Sequence, residues 1–444
     1  MATKVLLVGG GAREHAMARA LAEGGAELYT VMKNRNPGIR RLSKDFLLAG
    51  ETDIEKVSMY ARMKGVGLAV VGPEAPLEAG LTDELEKQGV RCASPSKSAA
   101  RLETSKEFMR GLMARHKIPG RIDHWVFSDI VEVKKFISGH DKGVAVKPVG
   151  LTGGKGVKIT GDQLLSKEDV LKYASEVLDK RVGGQSRVVV EEKAEGEEFT
   201  LQAFSDGITV TPMPAVQDHK RAWEGDLGPN TGGMGSYSQE DHLLPFLRKE
   251  EYDEGARIIQ RTVEALAVEG TPFKGPIYGQ FMLTSDGPKV IEFNARFGDP
   301  EAMNVLSLIE SNFLDVCQDM AEGRLGGARA AFAKKATVCK YVVPVGYGTE
   351  SKVGSEITVD EKALEAEGAR IYYAAVNEKG PGTVLTTGSR AIGVVGIAGD
   401  IGRAEESCEK ALGHLRGEYF VRHDIGRPEA LRRKLDHMKR VRGA

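Results

Sequence analysis

Gln280, Glu292 and Asn294 carry the clearest chemistry in this chain. They offer one carboxylate and two amide oxygens, donors that suit a hard cation such as Mg²⁺, which usually also keeps water and phosphate ligands. They lie in the run YGQFMLTSDGPKVIEFNARFGDPE, residues 278–301. Two apolar segments, Tyr278–Leu283 and Lys289–Phe293, flank Ser285-Asp286-Gly287-Pro288, a pattern that predicts a β-hairpin. Strand side chains alternate, so Glu292 and Asn294 share a face. With Leu283 facing Lys289 across the turn, Gln280 falls opposite Glu292, and a slip of one residue breaks that pairing. The bland alternative is a polar patch on an exposed hairpin.

Further candidate groups are spread along the chain. Gly9-Gly10-Gly11 follows an apolar strand and precedes a helical stretch, so free backbone N–H groups there can form a phosphate nest. The full G-x-G-x-x-G spacing is missing, and steric need alone also explains glycines at such a turn. Lys147 ends a strand, and Gly150-Leu151-Thr152-Gly153-Gly154-Lys155-Gly156 follows it. A strand lysine can reach nucleotide phosphates while a glycine loop closes over them. The loop does not fit G-x-x-x-x-G-K-[ST], and solvated lysines are the alternative. Glu191-Glu192 close a strand and Glu197-Glu198 come soon after, placed to accept from an adenine amino group or ribose hydroxyls, or simply forming an acidic surface turn.

The segment QDHKRAWEGDLGPNTGGMGSYS, residues 217–238, gathers Asp218, His219, Lys220, Arg221, Asp226 and Asn230 among glycines. A loop of that length in a compact domain is usually functional or disordered, and mixed charge with Trp223 and Tyr237 argues against disorder. Asp299-Pro300-Glu301 fits a helix start with Asp299 as N-cap. Arg296 just before it is placed to stabilise charge on a transferring phosphoryl group. The basic run Arg432-Arg433-Lys434 to Arg442 reads as one solvated helix face.

The elements that must position these residues divide the chain. At 444 residues it is too long for one ordinary core, and about three domains is the expectation. Strands Lys4–Val8 and Gly67–Gly72 alternating with helical stretches predict a parallel α/β domain over residues 1–103. A helix over Ser105–His116, with Lys106 in its first turn, opens a region running over residues 104–330. Within it, residues of about 120–195 form a compact α+β subdomain. Residues 331–444 mix short strands with an amphipathic helix and predict a small C-terminal mixed domain. The overall class is thus α/β and α+β multidomain.

Composition excludes several functions. With 62 basic and 63 acidic residues the chain is nearly neutral, which argues against a broad nucleic-acid footprint. Four scattered cysteines lack metal-ligand spacing and read as reduced thiols of a cytoplasmic protein. No stretch approaches the ~20 apolar residues of a membrane span. The chain has 54 glycines, about 12% against a usual ~7%, and their clustering in loops points to close backbone approach to ligands.

A closing glycine loop, strand lysines, an acidic hinge and a Glu/Asn pair in that order resemble the ATP-grasp superfamily, and more narrowly the glycinamide ribonucleotide synthetase family. The runs VLLVGGGAREHA, VVGPEAPLEAG, AVKPVGLTGGKGV, VVVEEKAEGEE, QDHKRAWEGDLGPNTGGMGSYS, IEFNARFGDPE and RHDIG carry the resemblance across nearly the whole chain. It implies a Rossmann-like N-terminal domain, a central ATP-grasp pair with a mobile lid, and a C-terminal domain closing the substrate cleft. It also implies that Lys106, Lys147, Gly153, Gly154, Lys155 and Gly156 contact ATP phosphates. Glu191 is implied at the adenine hinge, Glu198 at the ribose, and Gln280, Glu292 and Asn294 at Mg²⁺, with Mn²⁺ as a substitute. The chain departs from many relatives at Lys193, where an aromatic is common, and at Thr152-Gly153-Gly154, where Ala-Ala-Gly is common.

The function that this resemblance implies is the joining of glycine to 5-phosphoribosylamine with ATP, through a glycyl phosphate, in de novo purine biosynthesis. Arg296, Lys147, Asp218 and Lys220 would serve catalysis, and Gly9, Gly10, Gly11, Arg13, Asp218, His219 and Arg221 would hold substrate. The protein would be cytoplasmic, a monomer or weak homodimer, with no nucleic-acid or membrane partner. Another ATP-grasp carboxylate–amine ligase is the nearest alternative. An NAD-dependent oxidoreductase would need an acidic ribose partner about 20 residues after the glycines, where the chain has Val31-Met32-Lys33. A non-catalytic nucleotide sensor would bind ATP without glycine-dependent turnover.

Overall fold

The computed structural model describes residues 2–150, 156–327 and 330–443. The first layer is a five-stranded parallel sheet ordered Ser43–Leu48, Glu27–Met32, Lys4–Val8, Leu68–Val71 and Arg91–Cys92. Its central strands are continuous apolar runs, buried on both faces because crossover helices cover them. Helix Ala12–Glu23 leaves the sheet straight after the glycine turn. Helix Lys106–Arg115 then leads away, with the Ser105 side chain accepting from the Phe108 N–H as cap.

The next unit is a four-stranded antiparallel sheet ordered His124–Phe127, Val188–Glu192, Val144–Pro148 and Lys158–Ile159. Helices Ile130–Ser138 and Lys167–Asp179 pack on it. Val144, Val146, Val188 and Val190 face those helices in a core of their own, separate from the main core. That alternation sends Lys147 and Glu191 to the opposite face.

The central sheet runs Val210–Pro212, Glu197–Asp206, Lys274–Thr284, Gly287–Asn294, covered on one side by helix Lys249–Val268. A second five-stranded sheet is ordered Gln217–Asp218, Gly235–Ser238, Ala336–Val342, Ile392–Ala398 and Ala369–Tyr373. Two strands from the 217–238 segment are therefore built into a sheet with strands that lie far along the chain. The segment is a folded element: Arg221–Trp223 and Leu227–Asn230 pair as a hairpin where a glycine-rich loop was expected.

The final helix, Pro428–Val441, is amphipathic as its charge pattern suggests, but not all of its bases face solvent. Arg432, Arg433, Lys439 and Arg440 are the more open ones. Lys434 turns inward to Glu197 (3.2 Å) and Asp226 (3.3 Å), and Arg442 to Glu251 (2.7 Å). The Asp299 N-cap is also corrected. The helix begins at Glu301 with Pro300 as its cap residue, and no side chain caps it.

Candidate active site

Gln280 does face Glu292, and Asn294 faces Tyr278. The route to that pairing differs from the one the sequence suggested. The turn is tighter, with Thr284 paired to Gly287 and Leu283 opposite Pro288 rather than Lys289. Counted from there, Gln280 would be one residue out of register with Glu292. An irregularity between Gln280 and Phe281 restores the match, because Phe281 pairs with Val290 and Ile291 is left over as a β-bulge.

The face these residues share continues across the central sheet. Thr200 lies opposite Gln280, and Gln202 opposite Tyr278. Glu301 from the helix above is buried against it, accepting from the Tyr278 hydroxyl at 3.0 Å, with the Thr200 hydroxyl 3.2 Å from the same oxygen. The Gln280 amide nitrogen donates to Glu198, so its oxygen is turned away from that carboxylate. Glu292 makes no hydrogen bond or ion pair among the described residues, and neither does the Asn294 side chain. No group of three or more His, Cys, Asp or Glu side chains among the described residues is arranged to hold a metal. The donor set is instead one unengaged carboxylate with two amides, which fits a hard cation that completes its shell with water and phosphate.

Lys147 and Glu191 meet on the inner face of the lid sheet. Lys147 Nζ is 2.6 Å from one Glu191 oxygen, and Arg110 Nε is 2.7 Å from the other. All three are almost fully buried. Burial alone would raise the Glu191 carboxyl, but Arg110 and Lys147 outweigh it and hold it at about 2. Glu191 is thus paired with two cations, Arg110 and Lys147, and orients the latter. Lys106 donates to the Gly150 carbonyl at 3.1 Å, at the root of the glycine loop. Gly153, Gly154 and Lys155 lie outside the described residues; the carbonyl of Gly156, the next residue, accepts from Tyr173 at 2.8 Å.

In the 217–238 segment, strand alternation sorts the candidates. Lys220 joins the polar face, with Nζ 3.0 Å from Glu198, the residue read as a ribose contact. Asp218 feels Lys220, Glu301, Glu198 and His219 as its charged neighbours. His219 points the other way, to Asp226 at 3.3 Å, and the Arg422 guanidinium holds Asp226 from behind at 2.9 Å. Arg221 pairs with Asp162 of the lid and donates to the Gly228 carbonyl at 2.8 Å. His219 and Arg221 thus each have a protein carboxylate as partner, Asp226 and Asp162.

At Gly9-Gly10-Gly11 one backbone N–H is already engaged within the protein. Glu14 folds back and accepts from the Gly11 N–H at 2.8 Å, satisfying the N-cap backbone donor. A Cβ at Gly9, Gly11 or Gly72 would come within 2.5, 2.7 or 2.1 Å of that side chain. These glycines make room for an internal carboxylate, and that carboxylate occupies the nest. Arg13 is tied to Glu14 (2.6 Å) and to the Phe297 carbonyl (3.2 Å).

Beside this turn lies a cleft of about 520 Å³ whose walls include Gly10, Arg13, Lys33, Glu51, Asp299 and Arg390. Arg390 went unnoticed in the sequence. It reaches Asp299 at 2.9 Å and stacks over the Tyr341 ring at 4.6 Å, joining distant parts of the chain. Arg296 bridges Glu103 (3.0 Å) and Glu74 (3.3 Å) and so fixes the end of the hairpin against helices Lys97–Thr104 and Glu74–Ala79. Burial opposes ionisation of Glu74, but Arg296 and Arg13 prevail and hold it at about 2. The cleft and the polar face therefore share a boundary at residues 296–299.

Three family models match successive parts of the chain: phosphoribosylglycinamide synthetase N domain over residues 3–103, ATP-grasp (A) domain over 104–302, and C domain over 337–428. A phosphoribosylamine–glycine ligase of Methanothermobacter thermautotrophicus is 53% identical over 99% of this chain and 100% of its own length. One from Pyrococcus abyssi is 49% identical over 99% of this chain and 98% of its own. Among solved structures, the phosphoribosylamine–glycine ligase of Thermotoga maritima superposes with a TM-score of 0.80 at 25% identity, covering 95% of this chain and 100% of that one. The biotin carboxylase domain of Hydrogenobacter thermophilus 2-oxoglutarate carboxylase, bound to MgADP, shares the fold with a TM-score of 0.74 at 15% identity, over 99% and 94%.

Proposed function

The chain belongs to the phosphoribosylglycinamide synthetase family, and on that premise we propose that it joins glycine to 5-phosphoribosylamine at the cost of ATP, giving glycinamide ribonucleotide for purine biosynthesis. The observation that carries this reading is the polar sheet face on which Gln280 lies opposite Glu292, with Asn294 two residues further along the same strand.

The chemistry has two steps. The glycine carboxylate attacks the γ-phosphorus of ATP; the bond to the ADP oxygen breaks, leaving ADP and glycyl phosphate. The amine of phosphoribosylamine then attacks the glycyl carbonyl, phosphate leaves with the bonding pair, and the nitrogen loses a proton. A free carboxylate is a poor electrophile, which is why phosphorylation must come first. Mg²⁺, or Mn²⁺ in its place, held by Gln280, Glu292 and Asn294, would neutralise charge on the phosphate oxygens when bound.

The protein's own side chains do the rest. Lys147, steered by Glu191, and Lys106 at the loop root present ammonium groups to the nucleotide phosphates. Lys220 and Arg296 sit on either side of the transfer region, both held by carboxylates, so little reorganisation is needed as charge moves. The lid has a separate core and closes over the face, keeping water from the labile acyl phosphate. The cleft beside Asp299 and Arg390 receives the sugar phosphate. The domain limits at 103 and 330 suit this division of labour. Four buried, unpaired cysteines suit a cytoplasmic setting, and no described helix is long and apolar enough to cross a membrane.

The test is phosphate release from ATP with glycine and phosphoribosylamine each present or omitted, the latter formed in place from ribose 5-phosphate and ammonia. Release that needs both supports the reading. Release with a different acid or amine, and none with these two, would mean another ligase of the same fold.

A further inference from the structure

We propose that Arg110 is a positioning residue that ties the metal-bearing strand to the phosphate-binding lysines. This rests on the reading that Gln280, Glu292 and Asn294 hold the metal.

Strand Gly287–Asn294 is the last strand of the central sheet, so no further strand fixes its far edge. A slip of one residue there would part Gln280 from Glu292. The bulge at Ile291 sharpens the problem, because it disrupts the ladder just before Glu292. Consecutive carbonyls of a regular strand point to opposite edges. At the bulge, the Val290 and Ile291 carbonyls both accept from one side chain. Arg110 donates to them from Nη1 at 2.8 Å and from Nη2 at 3.0 Å. The Val290 N–H donates to the Gly120 carbonyl at 2.8 Å. Arg110 therefore stands where a neighbouring strand would, and it grips the two residues that precede Glu292.

The rest of the guanidinium faces the lid. Nε donates to Glu191 at 2.7 Å, and the other Glu191 oxygen holds Lys147 at 2.6 Å. Lys106 lies four residues earlier on the same helix, hence on the same face, and donates to the Gly150 carbonyl. The charged neighbours of Lys106 include Glu292, Lys147, Glu191 and Glu103, so the metal carboxylate and the phosphate lysines converge on this helix face. Arg110 is 1% exposed, and all three of its contacts leave one rigid planar group. A lysine at this position would keep a cation beside Glu191 but could not span both carbonyls. Arg110 acts through the groups it holds: it sets how far Glu292 lies from Lys147.

The experiment measures, by titration calorimetry, the factor by which Mg²⁺ tightens binding of a non-hydrolysable ATP analogue to the full chain. Arg110→Lys is expected to cut that factor by about tenfold, the lower end of the range for residues that support metal ligands. Glu191→Gln, which frees Lys147 but leaves the grip on the strand, should weaken the analogue alike with and without Mg²⁺. Amide hydrogen exchange without nucleotide gives a second readout: Arg110→Lys should speed exchange in the hairpin at 278–294 and not across the other sheets. The double variant Arg110→Met with Glu191→Gln leaves no unpaired buried carboxylate. Set against Glu191→Gln alone it should show the same loss, which holds the proposal to account if Arg110→Lys does not fold. A wild-type Mg²⁺ factor in Arg110→Lys, an equal loss of the factor in Glu191→Gln, or faster exchange throughout the chain would overturn the proposal. Glu292→Gln separates the premise. If it keeps the Mg²⁺ factor, the metal reading fails and the proposal falls with it; if it loses the factor while Arg110→Lys keeps it, the proposal alone fails.

Discussion

Lys147 Nζ lies 2.6 Å from Glu191 on a lid face where both side chains are almost fully buried. Removing the lysine would leave Glu191 with Arg110 alone. Breaking a buried pair costs on the order of 3–5 kcal/mol, so Lys147→Ala should lower lid stability as well as weaken nucleotide binding. Denaturant melts with and without ATP separate the two effects. A variant with wild-type stability in the absence of ATP would contradict the pairing.

The same pair sets an acid limit. Glu191 and Glu74 are held at about 2 in the folded protein, against 4.5 for an ordinary glutamate. A depressed carboxyl contributes stability that is full above its unfolded value and is lost as pH falls through the folded value. Stability should therefore drop between pH 4.5 and about 2. Glu191→Gln should start lower and show a shallower slope over the same interval in urea melts; an unchanged slope would place the acid sensitivity elsewhere.

Glu292→Gln should abolish glycine-dependent phosphate release while leaving the fold intact, since no described side chain depends on Glu292. Residual activity within about tenfold of wild type, ~1.4 kcal/mol, would show that the metal assignment is wrong. Magnesium titration followed by intrinsic fluorescence gives an independent readout of the same site.

Gly72→Ala should cost about 1–3 kcal/mol, the usual range for overpacking a core, because its Cβ would lie 2.1 Å from a Glu14 oxygen. Pairing it with Glu14→Ala should recover much of that loss. If the double variant is no better than the single one, the glycines serve something other than this carboxylate.

How far the sequence was legible depends on the range of each interaction. The α/β and α+β multidomain class followed from alternation and periodicity. Gln280 and Glu292 were matched correctly, although through two offsetting departures: a turn one residue tighter than expected and a bulge at Ile291. Glu14 at the third helical position was a visible acidic first-turn signal, but the glycines before it drew attention to phosphate instead. The 217–238 run was read as loop, so alternation was not applied to it. A strand reading would have set Asp218 and Lys220 on one face, with His219 and Arg221 on the other. Arg110 with Glu191, and Arg390 with Asp299, have no local signature, because their partners are 81 and 91 residues away.

The sheet that pairs Gly235–Ser238 with Ala336–Val342 has a consequence for how the protein is made. At about 5–20 residues per second, roughly a hundred residues of synthesis separate these strands, a wait on the order of 5–20 s. Through that interval the strand behind Asp218 and Lys220 has an unsatisfied edge on the ribosome. The half-built catalytic face is then most exposed to wrong pairing, and a chaperone that shields strand edges would act in that window.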